Sequence, residues 1–143
     1  MRLTFSVNMQ PKCKGRPRFS YRHFSRRVYT PKTTVEAEID VAVSAQKEMK
    51  HQKAEMIKGK PIRAQIDFFF KMPNSWNQTK RNANFDKPAQ NRKDLDNLVK
   101  LVLDACNGIV YDDDHNVTEI VTHKTWASRD WLHISFETIE NET

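Results

Sequence analysis

The run PIRAQIDFFFKMP limits this chain more than any other segment. Ile62, Ala64, Ile66, Phe68, Phe70 and Met72 alternate with Arg63, Gln65, Asp67 and Lys71 between Pro61 and Pro73. Successive strand side chains point to opposite faces, so the pattern predicts a core strand with one covered face, bounded by prolines. A strand of this kind needs a sheet around it and a layer on top of it. Leu3, Phe5 and Val7 alternate near the N-terminus, and Leu132, Ile134 and Phe136 do so near the C-terminus. A preceding strand over Val117 to Trp126 is predicted to turn back at Ala127 to Asp130 and form a C-terminal hairpin. Thr33 and Glu36 have capping-box spacing, and Val35, Ile39, Ala42, Val43 and Met49 follow at helical intervals, which predicts a helix from about Thr34 to beyond Gln46. The expected class is α+β: a small mixed sheet packed with two main helices, in the order β-α-β-loop-α-β-β. A chain of 143 residues should form a single domain over 1–143, burying roughly two thirds of its unfolded surface without disulfides or a structural metal.

The net charge of +6 is unevenly distributed. Lys12, Lys14, Arg16, Arg18, Arg22, Arg26, Arg27 and Lys32 lie in one segment without an acid, interleaved with Phe19, Tyr21, Phe24 and Tyr29. Cations spaced among aromatics suit phosphate contacts and stacking on unpaired bases. The alternative is a solvated basic loop whose aromatics complete the core. A second polar stretch, Asn74 to Lys93, reads as a long loop with Trp76 and Phe85 embedded in it, and Arg92 and Lys93 at its end could hold a phosphate. The candidate DNA-binding residues are therefore Lys14, Arg16, Arg18, Arg26, Arg27, Arg92 and Lys93. Cys13 and Cys106 match neither CxxC nor zinc spacing, which favours a reduced, cytoplasmic protein over a disulfide scaffold. MRLTFSVNMQPK is neither a signal-peptide core nor a membrane span, so no membrane role is expected.

Acid is gathered on this basic chain at Asp94, Asp96, Asp104, Asp112, Asp113 and Asp114. Packed carboxylates raise one another's pKa unless a cation sits among them, and hard oxygen donors suit Mg²⁺ or Mn²⁺. Leu95, Leu98, Val99, Val102, Leu103 and Cys106 make the apolar stripe of a second helix that Gly108 is placed to end. Asp96, Asn97, Lys100 and Asp104 then share its polar side. A bland reading exists: Asp94 caps the helix, Asp96 favours its N-terminus, and Asp96, Lys100 and Asp104 form a surface charge ladder. Against it stands the second cluster, since a turn after Gly108 can bring an aspartate back toward Asp94 and Asp96. A calcium loop starting at Asp112 fails, because Val117 stands where the loop glycine belongs and His123 where the bidentate glutamate belongs.

DLDN, Lys100 four residues past Asp96, LDACNG and an aspartate pair before a strand together resemble the RusA family of Holliday junction resolvases of bacteria, prophages and phages. The similarity extends to KGRPR, the first helix, the core strand and the C-terminal strands. The resemblance implies a RusA-like α+β fold, with Asp94 and Asp96 as metal-binding acids and Lys100 as the essential lysine. Asp113 and Asp114 match the late acidic pair, and Asp114 is implied as the third metal ligand. Asp112 is an extra acid that leaves the register of the pair open by one, and Asn97 matches a position suited to orienting an aspartate or water. The implied cofactor is Mg²⁺, replaceable by Mn²⁺. A homodimer acting on branched DNA during recombination and repair in the bacterial cytoplasm is the implied biology. Two alternatives stay open: a metal-independent nucleic-acid binding module, and a nuclease preferring flaps, forks or single strands.

Overall fold

The computed structural model describes the chain except residues 16–17, 23–24, 30–31 and 141–143, and describes residues 18–22 and 25–29 by their backbone. Among the described residues, six strands and three α-helices follow in the order β1 (Arg2–Val7), β2 (Arg18–Arg22), β3 (Ser25–Tyr29), α1 (Lys32–His51), β4 (Ile62–Lys71), α2 (Gln78–Asn84), α3 (Leu95–Cys106), β5 (Val117–Ala127) and β6 (Trp131–Thr138). The main sheet is mixed and runs β1-β6-β4-β5, while β2 and β3 form a separate antiparallel ribbon.

The alternating run is the inner strand β4, as its pattern demands. Ile62, Ala64, Ile66, Phe68 and Phe70 are buried, and their neighbours point to the opposite face. Leu3, Phe5 and Val7 of β1 and Leu132, Ile134 and Phe136 of β6 continue the same apolar surface. The α1 and α3 helices cover it, packing on each other and on the sheet. The opposite sheet face is polar. Arg63 there lies 3.0 Å from Glu119 on one side and 3.9 Å from Glu137 on the other, and His123 approaches Asp67 at 3.1 Å.

Two sequence expectations need correction. The last two strands do not form a hairpin, because β4 lies between them, antiparallel to β6 and parallel to β5. Parallel neighbours require a long crossover, and the chain from β4 through α2 and α3 supplies one. Ala127 to Asp130 instead wraps the end of β4: Lys71 N donates to Asp130 Oδ1 at 2.8 Å and Met72 N to Ala127 O at 3.0 Å. In addition, α1 buries a face that shares only Met49 with the expected one. Thr34, Ala37, Val41, Ala45 and Met49 are buried, whereas Val35, Ile39 and Val43 are 42%, 52% and 44% exposed. Both stripes have helical spacing, and the one bearing alanines lets α1 approach β1 and α3 closely.

The polar stretch before α3 is likewise ordered. Asn77 caps α2 by accepting from Lys80 N at 2.9 Å, and Arg81 pins the preceding turn through Pro73 O at 2.9 Å and Trp76 O at 3.0 Å. The basic segment, for which no strand is expected from the sequence, contains the β2–β3 ribbon.

Candidate active site

The α3 helix carries the DLDN motif at its start. Its buried side is Leu98, Val99, Leu101, Val102, Ala105 and Cys106, so register alone turns Asp96, Lys100 and Asp104 away from the core. Burial pushes the Cys106 thiol up to about 12, consistent with an inert apolar role. Asp94 occupies the N-cap position with extended backbone, yet its side chain makes no capping hydrogen bond. Among the described residues, its Oδ2 accepts only from Asn97 Nδ2, at 3.4 Å. The carboxylate is therefore not consumed by the helix end, which removes the main support for the bland reading of this residue.

The helix stops at Cys106. Gly108 follows with φ of +77°, a conformation that favours glycine, and its N–H donates to Tyr111 O at 2.8 Å. Tyr111 is fully buried, edge-on to Phe136 at 5.5 Å, and its hydroxyl donates to Leu103 O at 2.6 Å. Asp112 N donates to Ile57 O at 3.2 Å, fixing the start of the second acidic cluster. A turn this firmly held returns the chain beside α3.

The three consecutive aspartates are given different partners. Asp112 Oδ1 accepts from the side chain of the buried Asn116 at 2.6 Å. Asp113 Oδ1 accepts from His115 N at 3.1 Å, capping a single 3₁₀ turn over Asp114–Asn116, and lies 3.2 Å from His115 Nδ1. Asp114 faces inward. With Asp96, Lys100 and Asp104 it lines a groove of about 660 Å³ between α3 and β5, floored by Leu95, Val99, Leu103, Ile120 and Thr122.

Electrostatics single out the same residue. The Asp114 carboxyl lies above the usual carboxylate range, first through desolvation, then through a hydrogen bond with Asp113 and the negative charges of Asp113 and Asp104. Asp113 lies below that range, chiefly because the His115 amide donates to it. Crowding of like charge in a partly dry groove is what a cation relieves. The donors present are hard oxygens, so their chemistry fits Mg²⁺ or Mn²⁺. Among the described residues, no three Asp, Glu, His or Cys side chains converge closely enough to hold an ion in this conformation.

The remaining predicted residues fall into three places. Lys14 pairs with Glu38 and lies 3.2 Å from Asp104; these hydrogen bonds outweigh partial burial and leave its ammonium above the usual lysine range. Nearby, Lys14 N donates to Asn97 O at 3.0 Å and Gly15 N to Thr34 Oγ1 at 3.0 Å, so the chain entering the β2–β3 ribbon is tied to both helices beside DLDN. Arg92 and Lys93 line a separate cavity of about 500 Å³ with Lys71, Phe70, Asn74 and Trp126. Arg16 and the side chains of Arg18, Arg26 and Arg27 lie outside the described residues. Asp104, read from sequence as a rung of a surface ladder, also belongs to the groove; the intervals of four along α3 were the signal for it.

No helix among the described residues is long and apolar enough to cross a membrane. The chain is 27% identical over 129 residues to the uncharacterized protein YqaN of Bacillus subtilis (strain 168), an alignment covering 87% of this chain and 88% of that protein. Residues 8–137 match the family model described as endodeoxyribonuclease RusA, a span holding both acidic clusters, the ribbon and the main sheet apart from β1 and the last residue of β6. The chain belongs to the RusA endodeoxyribonuclease family.

Proposed function

We propose that this protein is a metal-dependent endodeoxyribonuclease that resolves four-way DNA junctions by paired nicks. The carrying observation is that Asp114 returns to the groove occupied by Asp96 and Lys100 while the Asp94 carboxylate at the head of the same helix is left uncapped. Asp94, Asp96 and Asp114 are the residues proposed to hold Mg²⁺, with Mn²⁺ able to replace it. Such an ion supplies Lewis-acid charge at the scissile phosphate and lowers the pKa of the attacking water. Lys100 projects from the same helix face and is proposed to neutralise charge building on the phosphate or its leaving oxygen. Asp113 holds the 3₁₀ turn that aims Asp114, which makes it supporting rather than ligating.

Contacts to the DNA backbone by an arm, meaning the β2–β3 ribbon with the residues leading into it, are assigned to Arg16, Arg18, Arg26 and Arg27, and further contacts to Arg92 and Lys93 before Asp94. Lys14, held by two carboxylates, stands at the root of that arm. Two strands must be cut and one subunit offers one site, so a homodimer is the economical assembly. The bacterial cytoplasm, where such DNA is met, is the proposed location, and recombination and repair the proposed context.

Cleavage of a static four-way junction, compared with its arms as linear duplex and with EDTA, tests this reading. Junction nicking in Mg²⁺ alone is expected. Binding without cutting would favour the metal-independent module, and equal cutting of flaps or single strands would favour a broader nuclease.

The arm makes a separate prediction. Neutralising Arg16, Arg18, Arg26 and Arg27 together should flatten the log-log salt dependence of junction binding, by about 0.9 for each phosphate no longer neutralised. A slope equal to that of the unaltered protein takes these residues out of the interface.

The metal makes another. Mn²⁺ added to the free protein should raise its melting temperature, since an ion that binds only the native state stabilises it. Asp94→Asn and Asp96→Asn should each remove that rise. If both variants respond as the parent does, the ion binds elsewhere.

A further inference from the structure

Between α2 and α3 the chain has no regular element, yet it must deliver Asp94 in register. Its first half is held by backbone pairing along β5: Asp86 N donates to Trp126 O at 3.0 Å, Trp126 N to Lys87 O at 3.0 Å and Ala89 N to Lys124 O at 2.9 Å. That ladder ends at Ala89. From there to Asp94 the remaining hydrogen-bonded tie to the sheet, among the described residues, is one side chain. Lys124 Nζ donates to Asn91 O at 3.2 Å and to Lys93 O at 2.6 Å, and it lies 6.0 Å from the Phe70 ring centroid. The Lys93 carbonyl belongs to the peptide whose nitrogen is that of Asp94.

Lysine heads ordinarily reach for water or a carboxylate. This one is partly buried and forms no ion pair with the described residues; main-chain carbonyls accept its hydrogen bonds instead. Hydrogen bonds from a charged donor are shorter and stronger than neutral ones, and two carbonyls gripped by one ammonium cannot rotate independently.

We propose that Lys124 is a positioning residue for the metal-binding acids: its ammonium clamps the Asn91 and Lys93 carbonyls and so fixes the peptide plane from which the Asp94 carboxylate is presented toward Asp96 and Asp114. The proposal rests on the nuclease reading for what Asp94 does, but not for the clamp itself. Lys100 and Lys124 thus divide the work, one facing the phosphate and the other the backbone behind it.

The test compares Lys124→Met, which keeps the length and loses the donors, with Lys124→Arg, whose fork can bridge two carbonyls again. At a temperature where all variants are folded by circular dichroism, kcat for junction nicking in Lys124→Met should fall on the order of 10- to 100-fold, the cost of a small misplacement of a catalytic group. Its Kd for the junction should rise by no more than about threefold, a smaller change than that in kcat, because Arg92 and Lys93 on the clamped segment share binding with Arg16, Arg18, Arg26 and Arg27. The rise in melting temperature that Mn²⁺ confers on the free protein should drop to roughly half or less. Lys124→Arg should recover most of both, and Lys60→Met, a charge-matched change just before β4 begins, should alter neither. Should Lys124→Met fail to fold, Lys124→Gln, retaining one donor group, takes its place in each comparison. A kcat equal to the parent's, or an undiminished Mn²⁺ response, overturns the clamp. Were the parent protein to bind Mn²⁺ yet nick no DNA, the nuclease reading would fall while the Mn²⁺ response of Lys124→Met still decided the clamp.

Discussion

Asp114→Asn should slow junction cleavage on the order of 10³-fold or more while leaving junction affinity intact or improved. The substitution removes a negative charge from a groove proposed to receive phosphate, so binding should lose nothing. What disappears is a donor proposed to act on the charge that develops during cleavage, and loss of such a group appears in the rate rather than in the ground-state complex. The neighbouring acids grade the effect. Asp112 is engaged with the buried Asn116, at 2.6 Å, so Asp112→Asn should cost some stability and retain most activity. Asp113→Asn should lie between, because an amide oxygen still accepts from His115 N but carries less charge. Single-turnover nicking with separately measured Kd resolves the three. A dead Asp112→Asn beside an active Asp114→Asn would move the proposed site to Asp112.

The largest effect on stability is expected at the centre of the sheet. Phe68 is 1% exposed on β4, between β6 and β5. Phe68→Ala should destabilise the protein by about 3–5 kcal/mol, the combined loss of transfer free energy and the cavity left behind. Against a typical total of about 5–15 kcal/mol this is a large share. Phe69, one residue on, faces the other side and stacks on Trp131 with centroids 4.2 Å apart. Phe69→Ala should cost about 1 kcal/mol, the worth of a partly exposed aromatic pair. Urea unfolding of both variants checks the contrast, and comparable losses would contradict the facing of β4.

The same pair of neighbours explains what could be read without coordinates. Alternation is a property of the chain's own backbone geometry, so the β4 run was legible almost to the residue, expected at Ile62 to Met72 and found at Ile62–Lys71. The α3 stripe was legible for the same reason: Leu98, Val99, Val102 and Cys106 are buried, and Gly108 ends the helix with the positive φ that glycine favours. The uneven charge and the DLDN motif drew attention to the helix whose polar side lines a groove with Asp114. Where two stripes of similar hydrophobicity shared α1, periodicity had no means of choosing, and Val35, Ile39 and Val43 proved to face outward.

Strand partners were beyond its reach. Nothing local to Val117–Ala127 distinguishes an antiparallel turn toward β6 from a parallel seat beside β4, because the difference lies in which distant edge is free to pair. The acids show the same division. The sequence by itself determined that carboxylates cluster around one helix and the turn after it, through composition and spacing along the chain. Only the tertiary structure decided that Asp112 turns to Asn116, Asp113 to the His115 amide and Asp114 to the groove, and that Lys124 reaches the carbonyl before Asp94. Those choices depend on side chains meeting groups brought beside them by packing, and chain order carries no record of such distances.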